Sequence, residues 1–82
     1  MESVVVSGSQ EAYMDDEKDR LKILLSHWVE HNSGHAKEFR EWAEKARKVG
    51  QTTVCEDIMQ AAQQMDKGNE FLLAALGRLK EA

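Results

Sequence analysis

Apolar side chains recur in this chain at alternating intervals of four and three. From Leu21, the positions Leu25, Trp28, Asn32, His35, Phe39, Trp42, Ala46 and Val49 keep that spacing without a slip. An α-helix makes a turn every 3.6 residues, so the 4-3 repeat lays these side chains along one stripe. Such a stripe is the seam by which a helix packs nearly parallel or antiparallel to another. A second seam follows: Val54, Ile58, Ala61, Met65, Gly68, Leu72, Ala75 and Leu79. Between them lies Gly50-Gln51-Thr52-Thr53, where Gly50 is a helix-ending residue and Thr53 with Glu56 reads as a capping box opening a new helix. The spacing predicts helices over about Asp15 to Val49 and Val54 to Lys80, folded back on each other by the short turn.

The triplet Asn32-Ser33-Gly34 is a turn signal that would split the first helix and give a three-helix bundle. The seam keeps its phase through the triplet, however, and the two arms match in length only if the first helix is continuous. One interior glycine costs about 1 kcal/mol, which a long packed helix absorbs. Pairing the seams end to end sets Trp28 against Ala75, His35 against Gly68 and Trp42 against Ala61. Bulky rings then meet small residues, as close helix packing demands. On this register Trp28 and Trp42 are expected to be buried, and Gly68→Leu to be strongly destabilising.

The flanks of the two seams differ. One carries Val29, Ala36 and Ala43 with Cys55, Ala62, Asn69 and Leu76, and Met59 and Leu73 one step further round. The other carries Leu24, His31, Glu38 and Lys45 with Asp57, Gln64, Phe71 and Arg78, where Lys45 is placed to meet Asp57. An exposed apolar stripe on a small hairpin is an association surface, because one stripe per helix is too little core at this size. The expected fold class is therefore all-α: an antiparallel two-helix hairpin that dimerises into a four-helix bundle. The expected dimer interface is Val29, Ala36, Ala43, Ala62, Leu73 and Leu76. Residues 1–14 read as a flexible N-terminal arm and 15–82 as the hairpin domain. Val4–Val6 of that arm, or another protein, are the alternative covers for the stripe.

Composition narrows the partners. The 82 residues carry a net charge of -4, which argues against nucleic acid or an anionic membrane surface. No apolar run approaches the ~20 residues of a membrane span, and the first ten residues lack the basic and apolar regions of a signal peptide. The single Cys55 excludes an internal disulfide and suits a reducing, cytoplasmic setting. The absence of proline suits long helices.

The candidate chemistry is a row of histidines, His27, His31 and His35, one turn apart. Imidazoles four residues apart on a helix can clamp a transition-metal ion, with nickel, zinc or copper the suitable metals. The row drifts around the helix, so all three do not reach one ion, and His27 with His31 is the feasible pair. His27-Trp28-Val29-Glu30-His31 also fits the H-x-x-E-H pattern of inverted zinc peptidases, but nothing else in so short a chain supplies a third ligand or a substrate cleft. The Glu-x-x-His of di-iron bundles is absent after Glu30 and Glu38. Cys55, near a helix start, is a weaker thiol candidate. Asn32 and Asn69, near mid-seam, read as polar devices that fix register or oligomer state.

The stretch LLSHWVEHNSGHAKEFREWAEKA, from Leu24 to Ala46, resembles helical-hairpin segments of small uncharacterised proteins from anaerobic microbes. The resemblance implies a hairpin and transfers no activity or functional residue. The function expected from the sequence is a non-enzymatic, self-associating helical module with a structural or protein-interaction role. The alternative is a metal-binding accessory protein using His27 and His31. No nucleophile, base and orienting group can be assembled, so no enzyme is expected.

Overall fold

The computed structural model describes the backbone of residues 10–81 and the side chains of residues 16–81. Two helices account for it: α1, Gln10–Lys48, and α2, Thr52–Glu81. The start of α1 at Gln10 takes residues 10–14 out of the expected arm and into the helix. The rest of that arm, Val4–Val6 included, lies outside the described residues. α1 passes through Asn32-Ser33-Gly34 as one continuous helix, as the unbroken phase of the seam requires.

The turn is built by backbone geometry. Gly50 has a φ of 85°, the left-handed conformation that costs glycine least. Its N–H donates to Arg47 O at 3.0 Å, and the N–H of Gln51 donates to Ala46 O at 2.9 Å. This pair of bonds is a Schellman cap, which satisfies carbonyls that the end of α1 would leave orphaned. Lys45, Arg47 and Lys48 occupy the last turn of α1, where cations oppose the negative end of its dipole. α2 then starts one residue before the expected cap. The N–H of Cys55 donates to Gln51 O at 2.9 Å, making Gln51 the N-cap and placing Thr53 and Glu56 inside the helix.

The hairpin seam is rotated by one residue on each helix relative to the sequence expectation. Leu25, Asn32, Phe39 and Ala46 remain in it, as do Ile58, Met65, Leu72 and Leu79. The second column, however, is Val29, Ala36 and Ala43 on α1 and Cys55, Ala62, Asn69 and Leu76 on α2. Ala36, Ala43 and Ala62 are wholly inaccessible, and Leu25 and Leu76 are buried. Trp28 and Trp42, expected inside, are 41% and 56% exposed. Two physical terms favour this rotation. Alanines at the contact let two helices approach closely without leaving large rings covered on one side only. The rotation also brings Asn69 out of the flank and into reach of Asn32.

That asparagine pair is the polar centre of the seam. Asn32 Nδ2 donates to Asn69 Oδ1 at 3.1 Å. Asn69 Nδ2 donates to Ser33 Oγ at 3.1 Å and to Val29 O at 3.2 Å. Asn69, only 7% exposed, thus uses both amide hydrogens and its oxygen. A buried amide left unpaired costs about 1–3 kcal/mol, so one register satisfies this layer and slipped ones do not.

Gly68 has open space where a Cβ would stand, and so does Gly34. The expectation that Gly68 packs under His35 is thereby corrected, because the rotated seam turns Gly68 outward. The described hairpin measures 64 × 27 × 14 Å. It is one layer of helices, whereas stable domains pack two layers around a shared core.

Candidate functional site

The rotation exchanges the roles of the two flanks. Ala36, Ala43, Ala62 and Leu76, expected to meet a second subunit, are buried against the opposite helix of their own chain. Val29 is half-buried in the same seam, and of the six expected interface residues only Leu73, at 52%, stays largely exposed. These small residues serve the hairpin, where close approach is needed.

The column expelled from the seam forms the exposed apolar surface instead. Leu21, Trp28, Trp42 and Val49 share one line on α1 at multiples of seven residues, with His35 between the two tryptophans, and Leu24 lies beside them. Val54 and Phe71 continue the surface on α2, Phe71 being 72% exposed. Two shallow grooves open along it. One, of about 410 Å³, is lined by Phe39, Trp42, Ile58 and Ala61, with Glu38 and Asp57 at its edges. The other, of about 330 Å³, runs to the turn between Trp42, Lys45, Ala46, Val49, Val54 and Ile58. The Lys45 ammonium lies 4.2 Å from the centroid of the Trp42 ring. It is a cation–π contact within one helix, in place of the expected pairing with Asp57.

The opposite flank is polar. Arg40 reaches across from α1 to Asp66 of α2 at 2.5 Å, with both side chains well exposed. An exposed ion pair of this kind contributes about 0–1 kcal/mol and marks a solvent-facing surface. Arg47 also hydrogen-bonds Glu44 on its own helix. That bond holds the Glu44 carboxyl below its usual range against the opposing effect of desolvation, and the charges of Arg47 and Lys48 add smaller lowering contributions.

The histidine row runs along α1 beside the apolar surface. His27 and His31 have ring centroids 6.0 Å apart and nearly parallel planes. His31 is closer to His35, with centroids 4.5 Å apart and the rings edge to face. His35 Nδ1 lies 3.7 Å from Glu38 Oε1. Among the described residues no group of three or more His, Cys, Asp or Glu side chains is gathered closely enough to hold a metal ion. The expected pair, His27 and His31, therefore has no third donor among the described residues. Cys55 is half-buried at the edge of the seam.

Sequence reasoning missed the Trp surface because all three apolar columns on each helix follow the same heptad. Signals able to separate them were the small alanines of one column and the Asn32–Asn69 pair, which the rotated seam brings within hydrogen-bond distance. No helix among the described residues is long and apolar enough to cross a membrane.

No curated protein and no solved structure matches the chain. A family described as Domain of unknown function (DUF8180) matches residues 21–79. That match begins at Leu21 on the exposed line of α1, ends at Leu79 in the seam of α2, and includes the whole turn. The chain belongs to the DUF8180 family.

Proposed function

We propose that this protein is a non-enzymatic, self-associating helical module with a structural or protein-interaction role. It works as a homodimer whose two hairpins stack into a four-helix bundle. The observation that carries the reading is the apolar surface around Trp28 and Trp42, exposed on a hairpin that is one helix layer thick among the described residues. Aromatic residues, tryptophan above all, dominate the buried centres of protein interfaces. Two partly exposed tryptophans on one line beside Leu21, Leu24 and Val49 are an unusual load of apolar surface for water to cover. Stacking two such layers face to face supplies the shared core that a lone hairpin lacks.

Sedimentation equilibrium tests the reading. The parent chain is expected to run as a dimer at micromolar concentration. Trp28→Glu with Trp42→Glu is expected to give a monomer with reduced helicity, since charge on this surface blocks the second layer. Arg40→Glu, on the polar flank, is expected to leave the dimer intact. A parent chain that stays monomeric and fully helical at these concentrations would overturn the proposal.

A further inference from the structure

The open face of the hairpin is uneven in a regular way. Trp42 of α1 and Ala61 of α2 line one groove together, and Val49 and Val54 line the next. Steps of seven residues carry the same pairing away from the turn, to His35 beside Gly68 and Trp28 beside Ala75. On this face α1 presents a column of rings and α2 a column of small residues at the same heights. Ala61 is exposed, and Gly68 has open space where a Cβ would stand. The grooves are the step down from one column to the other.

A second copy with its helices aligned to the first can cover this face about either of two axes. A two-fold axis across the helices sets α1 on α1 and α2 on α2. Rings then meet rings on one side and small residues meet small ones on the other, so the two layers gape over α2 and leave it poorly packed. A two-fold axis along the helices sets α1 of each copy antiparallel on α2 of the other. It moves no residue along its own direction, so each ring arrives level with the small residue that stands beside it in its own chain. Trp42 of one copy covers Ala61 of the other, His35 covers Gly68, Trp28 covers Ala75 and Val49 covers Val54. Large side chains on small ones keep the layers evenly apart, at the roughly 8–10 Å that packed helices favour.

Charge and area agree with the lengthwise axis. Lys45 and Asp57 border the grooves on α1 and α2. The axis brings Lys45 of each copy beside Asp57 of the other, and among the described residues Asp57 forms no ion pair within its own chain. Val54 to Leu79 spans about 38 Å at 1.5 Å per residue, and two packed helices are about 18 Å wide. The face is therefore on the order of 700 Å², close to what each partner of a standard stable interface buries.

We infer that a second copy of this chain docks with its α1 on α2 of the first, about a two-fold axis along the hairpin, seating Trp28, His35 and Trp42 over Ala75, Gly68 and Ala61 of the other copy. Both turns then lie at the same end of the bundle. The inference rests on the self-association proposed above and deepens it by naming the orientation and the contacts.

The experiment uses the full chain as single-cysteine variants in a Cys55→Ala background, with circular dichroism showing that each retains its helices. Under air oxidation, a mixture of Val49→Cys and Val54→Cys chains is expected to form a disulfide-linked heterodimer, well above what either forms alone, because like positions lie diagonally across the axis. Charge reversal gives a second readout by sedimentation equilibrium. Lys45→Glu and Asp57→Lys are each expected to weaken the dimer about tenfold, since two attractive pairs become repulsive. An equimolar mixture of the two is expected to recover most of the parent affinity, because the mixed dimer pairs opposite charges at both contacts. Pairing of Lys45 with Asp57 inside one chain would give no such recovery. Cross-linking of His35→Cys with itself, without the mixed product, sets α1 on α1 and overturns the orientation while self-association stands. A dimer that gives neither the mixed cross-link nor the charge recovery overturns it as well. A parent chain that sediments as a monomer overturns the self-association itself.

Discussion

Asn32 and Asn69 are hydrogen-bonded to each other across the hairpin, amide to amide at 3.1 Å, at the middle of an otherwise apolar seam. The bond sets how far each helix is turned about its axis. With Asn69 in the seam, the alanines next to it must face inward, and Trp28 and Trp42 must face outward. A single polar layer thus selects which apolar surface of the hairpin is left exposed.

Removing Asn69 tests that role. Asn69→Ala strands Asn32, Ser33 and the Val29 carbonyl, and is expected to cost about 1–3 kcal/mol. Replacing both residues by leucine is expected to leave stability equal or higher, since buried polar groups are often matched by apolar substitutes, while losing the unique register. Urea denaturation gives the first result. Broadened or doubled amide resonances in the double variant give the second. A single sharp set of resonances there would show that the alanines alone fix the register.

The alanine contacts are expected to be intolerant of size. Ala43→Leu or Ala62→Leu forces a branched side chain between helices at their closest approach, at a cost of about 1–3 kcal/mol. Thermal melts that match the parent would mean that the two helices are not in contact there.

The glycines are expected to divide into two classes. Gly34→Ala and Gly68→Ala meet open space and remove a flexible residue from a helix interior. Each is expected to stabilise the chain by about 1 kcal/mol and to raise Tm by about 4–8 °C. Gly50→Ala must adopt a left-handed conformation at φ 85° and is expected to destabilise by about 1 kcal/mol. The same calorimetric scan separates the two signs.

Tryptophan emission is expected to report assembly. Trp28 and Trp42 are substantially exposed in a single hairpin, so burial in a second layer shifts their emission to the blue as concentration rises. An emission maximum that stays constant while sedimentation shows a dimer would place the interface on another surface.

Glu44 has a distinct acid signature. Its pKa is lowered by the hydrogen bond from Arg47. A depressed carboxyl stabilises the folded chain at pH above its unfolded value, and that contribution disappears as pH falls through the lowered folded value. Carboxyl carbon shifts followed by NMR are expected to titrate below the usual glutamate range in the parent and to return to it in Arg47→Gln. An unchanged titration in the variant would show that the bond is not formed in solution.

The two helices, their continuity through Gly34 and the turn at Gly50 were legible in the residues, because each depends on local chemistry. An unslipped 4-3 repeat needs an unbroken helix, and a glycine at the end of one needs only its neighbours to form a cap. Which apolar column faces inward is a different kind of quantity. Val29, Ala36 and Ala43 obey the same period as Trp28, His35 and Trp42, displaced by one residue, and periodicity is indifferent to that displacement. The outcome follows from residues far apart in the chain: how closely Ala36, Ala43 and Ala62 let the helices approach, and whether the amides of Asn32 and Asn69 find each other. The histidines follow the same division. Their spacing along one helix is written in the chain, while the rotation that sets His31 and His35 beside the open Trp surface exists only once the two helices have packed.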